Sequence, residues 1–199
     1  MIPPALALVL ASNNPHKVRE ISRIVAPMGL VLKTLADFPE LAEPPETSDT
    51  FEGNALEKAN FVFARTGLPT LADDSGLEVD ALGGGPGVHS KRFTPEATAE
   101  ANNRKLLSEL QGVEARGARF VCALALVSAR GEACIRGTVE GQIAHAPSGD
   151  GGFGYDPLFL PIEAPGKSMA ELAPQEKDAI SHRGRALIAL PEMLKELVG

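Results

Sequence analysis

At 199 residues, 44% apolar and 23% charged, the chain has the length and composition of one globular domain with a substantial core. Its formal net charge of −7 argues against a bulk nucleic-acid binder, which would present a basic face, but allows a small anionic ligand held by a few local cations. No stretch approaches the about 20 apolar residues of a membrane span, and Met1-Ile2-Pro3-Pro4 offers no basic region ahead of a short apolar run, so neither a membrane helix nor a secretory signal is expected and the cytoplasm is the default.

Residues 5–11 form a continuous apolar run suited to a buried strand. Asn14-Pro15 then predicts a helix start, with Asn14 as cap and Pro15 at the first helical position. Val18, Ile21, Ile24 and Val25 recur at helical spacing, and residues 30–32 read as a second strand. Residues 36–50, rich in Pro and acid, predict a surface loop. Asp49 with Glu52 resembles a capping box for a helix reaching about Arg65 and closed by Gly67. A short strand over residues 69–72 is expected before Asp73-Asp74-Ser75-Gly76, followed by a glycine-dense loop over residues 83–87. Thr94-Pro95 predicts another helix, ending near Gly112. Residues 120–127 and 133–143 predict a hairpin turning at residues 129–132. Residues 158–160 predict a strand, and a helical C-terminal stretch is interrupted at Pro191. Cys122 and Cys134 lack metal-ligand spacing and lie in strand-like runs, which predicts buried thiols. No repeat or linker divides the chain, and a mixed sheet flanked by helices is the natural assembly.

Four segments carry chemical potential. Ser12-Asn13-Asn14-Pro15-His16-Lys17 joins a strand to a helix, so backbone N–H groups, the helix dipole and the Lys17 charge form a phosphate cradle; a well-capped surface helix is the plainer account. In Asp73-Asp74-Ser75-Gly76 adjacent carboxylates point to opposite sides, so one of them can hold Mg²⁺ or act as general base toward water, unless the segment is only an Asp-rich turn. Glu46 offers a second carboxylate from the acidic loop. Residues 149–154 match G-x-G-x-x-G, yet Tyr155-Asp156-Pro157 and an apolar run follow where a dinucleotide fold needs a helix, so that reading is rejected. What survives is a glycine loop presenting Phe153, on which a base can stack, beside Asp156. Lastly, Lys177, His182, Arg183 and Arg185 concentrate donors for phosphate or a base carbonyl within nine residues of an acidic protein.

Together these motifs resemble the inosine triphosphate pyrophosphatase family, also called Ham1-like proteins. The matching pieces run in the family's order: Ser12 to Lys17, Thr50-Phe51 with Asn54-Ala55 and Lys58-Ala59, Ala72-Asp73-Asp74-Ser75-Gly76-Leu77, Gly83-Gly84 with Pro86-Gly87, Gly151-Gly152-Phe153-Gly154-Tyr155-Asp156-Pro157, and Ser181-His182-Arg183-Gly184. The resemblance implies an α/β fold: one domain over residues 1–199 with an elongated mixed β-sheet, flanking helices, and two lobes with an active cleft between them. It also implies a homodimer with a nucleotide substrate, no nucleic-acid or membrane partner, and Mg²⁺-dependent cleavage of ITP, dITP and XTP to monophosphate and pyrophosphate. Carried over, Ser12, Asn13, Asn14, Pro15, His16 and Lys17 bind the triphosphate, and Asp74 is general base and metal contact with Glu46. Ser75 lies beside the substrate, while Phe153, Gly154, Tyr155, Asp156, Lys177, His182 and Arg183 receive the nucleotide, chiefly its base. Many relatives have an acid before the Asn54-Ala55 pair, where this chain has Gly53, so no acidic role is assigned there. A nucleotide-binding sensor without turnover is the competing reading, and an RNA-associated module is disfavoured by the charge.

Overall fold

The structure, a computed structural model, describes residues 6–199. Met1 to Ala5, including the start of the first expected strand, lie outside the described residues. A six-stranded sheet has the order β2-β1-β3-β4-β5-β6. Its strands are β1 (Ala7–Leu10), β2 (Val31–Thr34), β3 (Thr70–Val79), β4 (Gly117–Ser128), β5 (Gly131–Ile143) and β6 (Phe159–Pro161). The sheet is mixed as expected: β1 is parallel to both β2 and β3, whereas β5 and β6 are antiparallel. Strands β4 and β5 form the expected hairpin, closed by Ala129-Arg130 alone. Among the described residues six α-helices accompany the sheet: α1 (Pro15–Val25), α2 (Phe51–Thr66), α3 (Ala99–Glu109), α4 (Pro174–Ile180), α5 (His182–Leu187) and α6 (Leu190–Leu197). Among the described residues, no helix is long and apolar enough to cross a membrane.

The chain divides into two compact units, one of residues up to Asp74 with Cys122–Gly137 and Arg183–Gly199, the other of Ser75–Val121 and Thr138–His182. Each has its own core. In the first, Leu8, Leu10, Leu71, Leu124 and Leu126 of the sheet meet Ile21 and Val25 of α1 and Leu187, Leu190 and Leu194 near the C-terminus. In the second, Leu77, Val79, Phe120, Val139 and Ile143 pack with Leu106 of α3, Leu158, Phe159 and Met169.

Several boundaries differ from expectation, each for a local reason. Helix α2 is capped by Thr50, whose hydroxyl accepts from the Gly53 N–H, and not by Asp49; Gly67 closes it at φ 66° as expected. Strand β3 runs straight through Asp73-Asp74-Ser75-Gly76, because those carboxylates are buried and satisfied by side chains rather than by a turn. Helix α3 begins at Ala99, not at Thr94-Pro95: the Thr94 N–H and hydroxyl both donate to Asn102 Oδ1, and Thr98 supplies the cap. Pro191 opens α6 at its first turn, while the helical interruptions fall at Ser181 and at residues 188–189. Both cysteines are free, Cys122 buried and Cys134 half-buried.

Candidate active site

The first unit gathers a cluster of charged side chains whose placement begins on α2. Its buried stripe is Phe51, Asn54, Ala55, Lys58, Ala59 and Val62, at the spacing of one helix face, so Asn54 and Lys58 are carried inward with the apolar residues. The acidic loop is pinned to this helix: the Thr47 N–H and hydroxyl donate to Glu57, at 2.7 and 2.8 Å, and the Ser48 N–H donates to Asn54 Oδ1 at 2.9 Å. That tether delivers Glu46. The Lys58 ammonium donates to Glu46 Oε1 at 2.8 Å, Asp74 Oδ1 at 2.8 Å and the Asp73 carbonyl at 2.9 Å. Asn54 Nδ2 donates to the other Asp74 oxygen at 3.2 Å.

Asp73 points the opposite way, as the strand's alternation requires. Its carboxylate pairs with Lys17, accepts from Arg183 Nε at 2.9 Å, and accepts from the Cys122 thiol at 3.0 Å. Arg183 also binds Glu20 Oε2 at 2.5 Å. The neighbours therefore differ electrostatically. Burial alone would raise the Asp73 pKa, but Arg183 and Lys17 outweigh it and hold the carboxyl well below its ordinary value. For Asp74 burial prevails over the opposing charges of Lys58 and Lys17, and its pKa is raised. Burial would lower the Lys58 pKa, but Asp74 and Glu46 reverse the sign.

At the end of β1, Asn14 Oδ1 accepts from the His16 and Lys17 N–H groups at 2.9 and 3.3 Å, and Ser12 Oγ accepts from the Asn14 N–H. The cap expected at Asn14 is in place. It also occupies the first-turn N–H groups that the sequence assigns to phosphate. Asn13 and Pro15 are exposed, and His16 Nδ1 lies 2.9 Å from Arg19 Nη2.

The second unit holds the glycine loop. Asp156 Oδ2 accepts from the Phe153 N–H at 2.7 Å and from Lys177 Nζ at 2.6 Å, and Lys177 Nζ lies 4.9 Å from the Phe153 ring centroid. Gly152, at φ 69°, makes this possible, since a Cβ there would fall 2.2 Å from the Asp156 carboxylate. The Tyr155 hydroxyl donates to the Ser90 carbonyl, and Asn103 Nδ2 donates to the Gly154 carbonyl at 3.0 Å. His182 is buried, stacked on Phe120 at 5.0 Å and 19°. Ser75 is half-buried on β3. The loop leads into a 3-10 turn at Asp156–Leu158 and then β6, which agrees with rejecting the dinucleotide reading.

The structure thus brings Lys17, Glu46 and Asp74 into one cluster with Arg183, and Phe153, Asp156 and Lys177 into another. Arg183 is 1% exposed and bound to two carboxylates, so in this structure it braces Asp73. Sequence reasoning gave no role to Asp73, Asn54 or Lys58. Their signal was polar residues at the stripe positions of an otherwise apolar helix face, opposite a paired acid. At Gly53 a Cβ would fall 2.0 Å from Ser48 Oγ and 2.6 Å from Ser48 Cβ, so any larger residue there needs Ser48 to shift. Among the described residues, no group of three or more His, Cys, Asp or Glu side chains converges to hold a metal. Glu46 and Asp74 instead share one cation, the Lys58 ammonium, as a pair of hard oxygen donors.

Other proteins share this arrangement of sequence and fold. A dITP/XTP pyrophosphatase of Geobacillus kaustophilus is 51% identical over 196 residues, covering 96% of each chain. One of Thermus thermophilus is 52% identical over 194 residues, or 96% of this chain and 93% of its own. Among solved structures, a HAM1 protein from Coxiella burnetii matches with a TM-score of 0.85 at 40% identity, covering 96% of this chain and 99% of its own. The Ham1 protein of Staphylococcus aureus matches at 0.84 and 36% identity, over 95% and 98%. The family profile described as Ham1 matches residues 8–193, and over that span the chain belongs to the Ham1 family.

Proposed function

We propose that this protein hydrolyses the non-standard purine nucleoside triphosphates dITP, ITP and XTP to the monophosphate and pyrophosphate. The observation that carries the reading is Asp74, a buried carboxylate of raised pKa that shares a cation with Glu46 and is oriented by Asn54. The names of relatives about half identical in sequence support the substrate class.

In this reading Asp74 takes a proton from the attacking water. The water oxygen bonds to the α-phosphorus as the bond to the α–β bridging oxygen breaks, and pyrophosphate leaves with the electron pair. Lys17, with Ser12, Asn13, Asn14, Pro15 and His16 at the start of α1, faces the triphosphate. Its ammonium is held in place by Asp73, which Arg183 braces. Glu46 and Asp74, paired hard oxygen donors around one cation, are the residues that would hold Mg²⁺. When bound, Mg²⁺ supplies charge neutralisation on the triphosphate.

Phe153, with Gly154, Tyr155, Asp156 and Lys177 around it, offers the ring for the base, Ser75 lies beside the substrate, and His182 offers a donor. A donor suits the 6-carbonyl of hypoxanthine and xanthine and is left facing another donor by adenine's 6-amino group. The same reading takes the protein as a cytoplasmic homodimer, whose mass in solution is twice that of the 20.9 kDa chain.

A product assay with dITP, XTP, ATP and dGTP, each with and without Mg²⁺, tests the activity. Pyrophosphate from dITP and XTP, with little from ATP or dGTP, is the expected result. Orthophosphate in its place would move the cleaved bond, and no turnover would leave a binding-only sensor.

A further inference from the structure

The Lys58 ammonium has three N–H donors, and all three are spent inside the protein, on Glu46 Oε1, Asp74 Oδ1 and the Asp73 carbonyl, at 2.8 to 2.9 Å. The side chain is 8% exposed, so the contact is not a solvated surface pair. It is fixed twice over. Lys58 lies on the buried stripe of α2, and the loop carrying Glu46 is tied to that helix through Thr47–Glu57 and Ser48–Asn54. A cation surrounded by two carboxylate oxygens and a carbonyl oxygen has the donor set of a hard metal ion.

We propose that Lys58 is a built-in occupant of the metal position: in the nucleotide-free protein its ammonium competes with a divalent cation for Glu46 and Asp74, so the cation binds weakly alone and strongly only together with a triphosphate. The inference rests on the reading of Glu46 and Asp74 as the metal carboxylates. Its physical basis is the cost of exchange. A cation arriving alone must displace an ammonium from the two carboxylates it bridges, leaving that ammonium buried without their counter-charge. A cation arriving with a triphosphate brings anionic oxygens to which the displaced ammonium can donate.

Titration calorimetry with Mn²⁺ tests this without turnover. For the wild-type protein, Mn²⁺ alone is expected to bind at least tenfold more weakly than Mn²⁺ with a non-hydrolysable dITP analogue. Lys58→Met removes the charge and the terminal donor while keeping an unbranched side chain one atom shorter, and should tighten binding of Mn²⁺ alone at least tenfold. Lys58→Arg, which keeps a cation there, should not. Circular dichroism melts establish that each variant is folded, and if Lys58→Met is not, the wild-type comparison decides alone. Tight wild-type binding of Mn²⁺ without nucleotide, abolished by Glu46→Gln or Asp74→Asn, would overturn the role of Lys58 and leave the metal reading standing. Binding indifferent to both carboxylate changes would overturn both.

Discussion

Asp73 and Asp74 are chemically identical and adjacent in the chain, yet their environments drive them apart. Asp73 sits between two cations, and its pKa is depressed; Asp74 is buried with its charge only partly compensated, and its pKa is raised. A general base must be deprotonated to act, and the closer its pKa lies to the working pH, the better it drives proton transfer. Of the two, only Asp74 fits. Asp74→Asn should therefore lower kcat by about 10²- to 10⁴-fold in a steady-state dITP assay. In the metal-free wild type, carboxyl NMR should find Asp74 taking up its proton at a pH above the ordinary carboxylate value of about 3.9, because burial raises its pKa. Titration of that carboxyl at or below the ordinary value would remove the pKa contrast that singles out Asp74. The adjacency itself was legible in the sequence, as was the opposite facing of the two side chains. Which of them is neutralised was not, because Arg183 lies 110 positions away along the chain and reaches Asp73 only through the fold.

At the scale of elements, local chemistry read well where one side chain decides the outcome. Asn14-Pro15 started α1 and Gly67 ended α2 as expected, since a cap hydrogen bond and a positive φ are settled within a few residues. Reading failed where a distant residue competes. Thr94-Pro95 has the look of a helix start, but Asn102 takes both Thr94 donors and the helix begins later, at Ala99. The glycine loop shows the same division. Its turn character was legible in composition, whereas its purpose lies in the close approach of Gly152 to Asp156, which fixes Phe153 against Lys177. Gly152→Ala would place a Cβ on the Asp156 carboxylate at an unfavourable positive φ, so the bond to the Phe153 N–H must break or lengthen. With the base reading of this loop, kcat/KM for dITP should fall at least tenfold and the preference over dATP should narrow. A variant that is slower but equally selective would show that the loop does not read the base.

At the scale of the whole chain, the mixed sheet was legible as a class, but its order was not. Parallel β1–β2 and β1–β3 pairing arises from crossovers through α1 and α2, and the apolar pattern of a buried strand does not say which neighbour it will meet. The hub at Asp73 shows how such long-range pairing is held. One carboxylate on β3 draws in Lys17 and Arg183 from the first turns of α1 and α5, and Cys122 from β4, while Glu20 shares Arg183. Asp73→Asn would leave Arg183 with half its counter-charge while 1% exposed, and Lys17 without its partner. Breaking a buried pair of this kind costs about 3–5 kcal/mol, a large share of the about 5–15 kcal/mol that holds a domain folded. The midpoint of urea unfolding should drop accordingly with the slope unchanged. The sign with pH follows from the depressed pKa. The stabilisation is fully present above the unfolded value of about 3.9 and is lost as pH falls toward the lower native value. The gap between wild type and Asp73→Asn in urea midpoint should therefore be constant near neutrality and shrink only below about pH 4. A gap that closes well above that pH, or that never opens, would mean Asp73 does not bear the charge that binds these elements together.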